Sequence, residues 1–228
     1  HSQTQMVLAG TGDGYGLVGL VPGFVEVQIE IFHMFSGAVF QNGGLFFNGT
    51  ECGIEVVAFM DNNPALHGTY VKGIPVVGSE DLLETDEWKQ KISNVYCPIG
   101  NNPLRRKILN KVSELGYNTP YFIHPSACIA DNVSIADGVY VLPQTVIMPF
   151  TRIDKYCMIS MNAKIAHHSI LEEGCFISTG VNFGANIHAH KDAYMGIGSL
   201  IMTGVKTIGE NSLIGAGKLF EAASSSWI

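Results

Sequence analysis

Apolar residues recur at every sixth position over the second half of the chain. Ile123, Ile129, Ile135, Val141, Ile147, Ile153, Ile159, Ile165, Leu171, Ile177, Phe183, Ala189, Met195 and Ile201 follow one another in step; after one inserted residue the series resumes at Ile208 and Ile214. All sixteen are apolar in a chain that is 46% apolar overall, an outcome that chance yields on the order of a few times in a million, so the period carries structural meaning. Four residues after each start lies a small or β-branched residue in every case but the last, Lys218. Three residues after each start, eleven of the sixteen are Gly, Asn or Asp, the types that enter the left-handed backbone region most easily. Each hexad therefore predicts a short strand, a corner and a bend into the next strand. Three hexads close one triangular turn, and sixteen make about five turns, stacked roughly 4.8 Å apart.

The first half has a different period. Residues 6–10 form a short apolar strand that runs into the glycine cluster Gly10, Gly12, Gly14 and Gly16, a place where backbone amides can approach phosphate. Residues 17–52 show no clean period and receive no assignment. Residues 54–61 are a near-continuous apolar run, as in a buried parallel strand, and end on Asp61 and Asn62, where open α/β sheets bind ligands. Further expected elements are a strand near 73–78, a helix capped by Ser79, a strand at 94–98 leading to Gly100, and a helix. That helix starts from Asn102 as cap, with Leu104, Ile108, Leu109, Val112 and Leu115 as its apolar stripe and Gly116 as its stop. Its basic residues predict a solvated face, or else a phosphate contact from Arg105 or Arg106. His124, at the joint before the coil, is expected to be structural.

This organisation predicts two domains: an α/β domain over 6–121 and a β-coil over 122–220, with a tail at 221–228. His1 to Gln5 precede Met6, which is taken as the natural start. A formal charge of −7 with scattered Lys and Arg lacks the basic footprint of a nucleic-acid binder. None of the five cysteines is spaced as a C-x-x-C pair, and no apolar run reaches membrane-spanning length, so a cytoplasmic chain with reduced thiols is expected.

Several short motifs carry a resemblance: 58–64 (AFMDNNP), 66–68 (LHG), 73–78 (GIPVVG), 99–102 (IGNN), Arg105, 123–127 (IHPSA) and 165–168 (IAHH). They occur in this order over about three quarters of the chain. Together they resemble the bacterial sugar O- and N-acyltransferases of the sialic acid O-acetyltransferase (NeuD) type. The resemblance implies an α/β Rossmann-like domain followed by a left-handed parallel β-helix, with acetyl-CoA as co-substrate. It also implies a nucleotide-linked sugar as acceptor, with uridine as the first base to test, a homotrimer, and a role in surface-glycan synthesis. Carried onto this chain, it makes His167 the general base with His168 beside it as the catalytic pair. It puts CoA near Gly184, Gly196, Gly198, Gly215 and Gly217, and the sugar nucleotide near Gly12, Gly14, Gly16, Asp61, Asn62, Gly100 and Arg105. No metal is expected.

The chain departs from the family pattern in three places. His168 stands where the family has an acidic residue that orients the base, Phe176 replaces a second histidine, and Ser160 replaces an asparagine; Glu172 or Glu173 could supply the missing carboxylate. Two further readings follow. One is a zinc lyase of the β-helical carbonic anhydrase type using His167, His168, His188 and His190; the other is a nucleotide-sugar-binding homologue without activity.

Overall fold

The computed structural model describes residues 4–10 and 54–221. The chain divides between Pro120 and Tyr121 into two compact units. The glycine cluster Gly12, Gly14 and Gly16, the unassigned stretch 17–52 and nearly all of the tail lie outside the described residues.

The first unit is built on a five-stranded sheet in the order β3 (Tyr70–Val71), β4 (Ile74–Gly78), β2 (Ile54–Asp61), β1 (Thr4–Gly10), β5 (Asn94–Tyr96). All neighbours run parallel except the β3/β4 pair. β2 is central, and Val56, Ala58, Phe59 and Met60 are buried, which is why its apolar run does not alternate. Ser79 caps a short 3-10 helix, Glu80–Glu84, and Thr85 caps α1 (Asp86–Lys91).

α2 (Asn102–Glu114) follows β5. Its cap is Asn101 rather than Asn102: the Asn101 side chain accepts from the Leu104 amide at 3.0 Å, and Pro103 falls within the first turn, where its missing N–H costs nothing. The stripe also differs from the expected one. Arg105, Ile108, Leu109 and Val112 are buried, while Leu104 and Leu115 are only half-buried. The spacing of three, four and seven residues holds, with an arginine in its first place.

The second unit is the coil. Seventeen two-residue strands, β6 (Phe122–Ile123) to β22 (Leu219–Phe220), form three parallel sheets, and strands three apart in sequence pair as neighbours. β13 (Lys164–Ile165) pairs with β16 (Asn182–Phe183), and β14 (Ile170–Leu171) with β17 (His188–Ala189), an 18-residue stagger that equals three hexads. This is the β-helix that the period predicts, and its left hand is the one the resemblance implies. The large inward residues from Val141 to Ile208 and the small ones from Val139 to Val205 are buried, and they fill one continuous core.

Fifteen of the sixteen corner residues, all but Ser126, have positive φ. The set includes Gln144 (φ 59°), Phe150 (62°), Tyr156 (62°) and His168 (57°), which have no intrinsic preference for that region. Here the coil overrides propensity, because main-chain bonds to the previous turn hold the corners, as from the Asn162 amide to the Pro143 carbonyl at 2.9 Å. The inserted residue is absorbed at a corner, where Gly204 (φ 114°) lies between Thr203 and Val205.

Candidate active site

His167 follows β13 at the corner leading to β14, and its neighbour His168 takes the left-handed position. Both side chains are exposed. The alternation of the strand has just ended, so neither imidazole points into the core. Their Nδ1 atoms lie 3.0 Å apart, with the rings perpendicular and their centroids at 5.1 Å. A contact at that distance requires a proton between the two nitrogens. When His167 holds it on Nδ1, its Nε2 carries a free lone pair, the state a general base needs. His168 is held in turn by Phe150, one coil earlier in the same corner column, with ring centroids 4.8 Å apart. His168 Nδ1 is thus the group within hydrogen-bond reach of the His167 ring.

An open groove runs along the face of the sheet beside this corner, lined by Val146, Met148, Lys164, Ala166, Asn182, Gly184 and Met202 among others. Exposed apolar side chains line it: Met148 is 44% exposed and Met202 49%. Lys164 is the cation beside it.

Two of the glycines assigned to CoA also serve the packing of the coil. A Cβ on Gly184 would stand 2.5 Å from the Thr203 amide nitrogen, and one on Gly196 would stand 2.6 Å from that of Ala216. Both positions are glycine because successive coils touch there, whatever binds nearby. Gly198 and Gly217 are open corner residues with φ of 64° and 65°, and a Cβ on Gly215 would touch only the Lys218 side chain, at 3.4 Å. Of the five, Gly184 lines the groove.

In the first unit, Asp61 is fully buried at the end of β2. One oxygen accepts from the Asn63 amide at 2.8 Å, and the other, Oδ2, has no partner among the described residues. Burial pushes this carboxyl above its ordinary value, opposed by the Asn63 amide and the nearby His67. Asn62 is exposed and Gly100 half-buried. Arg105, assigned to phosphate, is instead fully buried, and it donates to the Ile99 carbonyl at 2.6 Å and to Asn102 Oδ1 at 3.0 Å. Its guanidinium ties the loop before α2 to the helix and presents no face to solvent. Cys97 is buried, which pushes its thiol up to about 12 and leaves it inert.

The proposed substitute partners of His167 lie elsewhere. Glu172, past β14, bonds through Oε1 to His188 Nε2 at 2.7 Å and His190 Nδ1 at 3.2 Å, and through Oε2 to the Lys191 amide at 3.0 Å. Glu173 approaches Lys191. The four coil histidines thus form two separate pairs and do not gather into one zinc site. This cluster was missed in the sequence, although the 18-residue stagger between Glu172 and His190 signals it. Phe176 is buried and stacks on Tyr194 at 4.9 Å, while Ser160 bonds to Thr179 at 2.9 Å. His124 is buried and bonded to Ser126 at 2.8 Å.

Known proteins resemble this chain in both units. Residues 50–112 match the family described as the PglD N-terminal domain. The GDP-perosamine N-acetyltransferase of Escherichia coli O157:H7 is 25% identical over 168 residues, 73% of each chain. Among solved structures, the GDP-perosamine N-acetyltransferase of Caulobacter crescentus superposes with a TM-score of 0.75 at 24% identity; it covers 95% of this chain and 87% of its own. That protein, with one histidine replaced by alanine, was solved with CoA and GDP-perosamine. The acetyltransferase domain of PglB from Neisseria gonorrhoeae gives a TM-score of 0.69 at 20% identity, covering 96% and 91%. The chain thus has the fold of these acetyltransferases, and its first unit carries the match to the PglD N-terminal domain. His167 stands on the coil beside its open groove.

Proposed function

We propose that the chain transfers the acetyl group of acetyl-CoA to the amino group of a nucleotide-linked sugar used in surface-glycan synthesis. The observation that carries this reading is the His167–His168 contact at a corner next to an open groove. The acceptor nitrogen attacks the thioester carbonyl and His167 Nε2 takes its proton. His168 Nδ1 accepts the Nδ1–H of the resulting imidazolium, so charge is met where it develops. A coil amide stabilises the oxyanion, and CoA leaves as the thiol, its sulfur taking the proton that His167 Nε2 holds. Cys157 and Cys175 are buried and bond through sulfur to the Glu172 and His190 carbonyls, so neither serves as a nucleophile.

The sugar nucleotide is assigned to the first unit, with Asp61, Asn62 and the Gly100 loop at the carboxyl ends of the strands. Gly12, Gly14 and Gly16 belong to the same assignment. The unpartnered Asp61 Oδ2 supports a polar ligand there. Relatives named for GDP-perosamine make guanosine, not uridine, the first base to test.

A homotrimer completes the site, because one flat face cannot enclose CoA. The exposed apolar residues Met148, Phe150, Leu200, Met202 and Leu219 support a partner there. No described helix is long and apolar enough to cross a membrane, and we place the chain in the cytoplasm, where acetyl-CoA is made. The test follows thiol release from acetyl-CoA with GDP-, UDP- and CDP-linked amino and hydroxy sugars, alongside light scattering. A trimer that turns over one amino sugar is expected. Acetylation of a hydroxyl corrects the acceptor alone, whereas nucleotide binding without thiol release identifies an inactive homologue.

A further inference from the structure

We infer that Glu172, His188 and His190 form a binding site for one divalent cation of the zinc type, on a different edge of the coil from His167. Each residue offers one ligand atom, and the three atoms lie within 4.8 Å of one another. The coil itself assembles them. β14 and β17 pair so that Ile170 faces His188 and Leu171 faces Ala189; the next position brings Glu172 beside His190. His188 and His190 are two residues apart along an extended segment, so both side chains point outward. One carboxylate and two imidazoles thus converge from adjacent turns without any loop having to order.

The distances are close to those a cation demands. Zinc sits about 2.0–2.2 Å from N and O donors, which sets tetrahedral donors about 3.3 Å apart. Glu172 Oε1 is already 2.7 Å from His188 Nε2 and 3.2 Å from His190 Nδ1. The two nitrogens, at most 4.8 Å apart, close by up to about 1.5 Å through ring rotation to reach that spacing. The donor set of two imidazoles and a carboxylate suits Zn, Co or Ni rather than Ca or Mg.

The surroundings fit as well. The Lys191 amide holds Glu172 Oε2 at 3.0 Å, the supporting bond that orients a ligating carboxylate. The neighbouring cations are engaged elsewhere: Lys191 Nζ lies 4.0 Å from Glu173, and Arg152 lies 3.2 Å from Asp154. In the next coil, the position following the His188–Thr207 and Ala189–Ile208 pairs is Gly209, which has no side chain to fill a fourth ligand position. The cation would join adjacent turns, and acetyl transfer at His167 does not require it.

The experiment uses the full chain, freed of any affinity tag and stripped with EDTA, then dialysed against zinc or cobalt(II). One equivalent per chain is expected, with a tetrahedral cobalt spectrum and a raised Tm. Glu172→Gln and His190→Ala should each weaken uptake by more than about 100-fold, beyond the range for losing a merely supporting bond, and should abolish the metal-dependent rise in Tm. Circular dichroism shows whether each variant folds, and His188→Gln replaces any that does not. His167→Ala should bind one equivalent as the parent does. No stoichiometric uptake by the parent overturns the site and leaves a hydrogen-bonded His–Glu cluster. Equal uptake by a folded His188→Ala, His190→Ala double variant puts the cation elsewhere and overturns it too.

Discussion

The coil carries two histidine pairs, one at each of two edges, and they differ in what they face. His167 and His168 are adjacent in sequence, exposed, and bonded to each other, with no carboxylate bonded to either ring among the described residues. His188 and His190 are two residues apart, about one-third exposed, stacked at 4.2 Å, and bonded to Glu172 from the neighbouring turn. The same six-residue frame supports both. An imidazole at a corner beside a groove keeps one nitrogen available for substrate. On a strand opposite a carboxylate, both rings direct a nitrogen at that carboxylate, a geometry suited to holding a proton or a cation.

The most direct way to break this comparison is to remove one member from each edge. His167→Ala should lower kcat by about 100- to 10,000-fold, the usual worth of a general base, with CoA affinity nearly unchanged. Glu172→Gln should leave kcat within about twofold, since removing a charge remote from the reacting atoms takes away no transition-state contact. Comparable losses in the two variants would show that the edges are not independent. A smaller effect is expected at the positioning residue. His168→Ala should cost about tenfold in kcat, roughly 1.4 kcal/mol of barrier, while His168→Glu, which supplies the family's carboxylate, should restore turnover. If His168→Ala proved more damaging than His167→Ala, the roles within the pair would have to be exchanged.

The smallest effect concerns acid stability. Burial raises the Glu172 carboxyl, but the His188 bond, the Lys191 amide and the charge of His190 outweigh it and hold the carboxyl below its ordinary value. A lowered folded-state value stabilises the fold above the ordinary glutamate range, and the contribution is lost as pH falls through the folded value. Thermal melts of the parent and of Glu172→Gln should therefore differ most near neutral pH and converge below about pH 4. Parallel curves at all pH values would mean that the cluster adds nothing to folding.

The coil was legible because its period is a backbone property: every sixth residue must point inward, and a single substitution does not hide the series. Side-chain destinations were not legible in the same way. The expectation at Arg105 placed a basic residue of the first turn near solvent, but its position in the three-four-seven stripe puts it in the core, where Ile99 and Asn102 satisfy it. Gly184 and Gly196 carry a packing requirement, the close approach of the next turn, that nothing local in a sequence distinguishes from a ligand contact. Asn101 and Asn102 are both good caps, and only the backbone decides between them. The Glu172 cluster was readable in principle from an 18-residue offset, but residues that far apart attract attention only once the stagger of the turns is known.

The left-handed corners have a consequence for how such a protein changes. Gln144, Phe150, Tyr156 and His168 all occupy a conformation in which glycine or asparagine is normally preferred, at a cost of roughly 1–2 kcal/mol each. A frame that tolerates four such residues treats the outward corner as an exchangeable socket. What is plugged into it alters the chemistry on the rim, while the stacked interior beneath registers almost nothing.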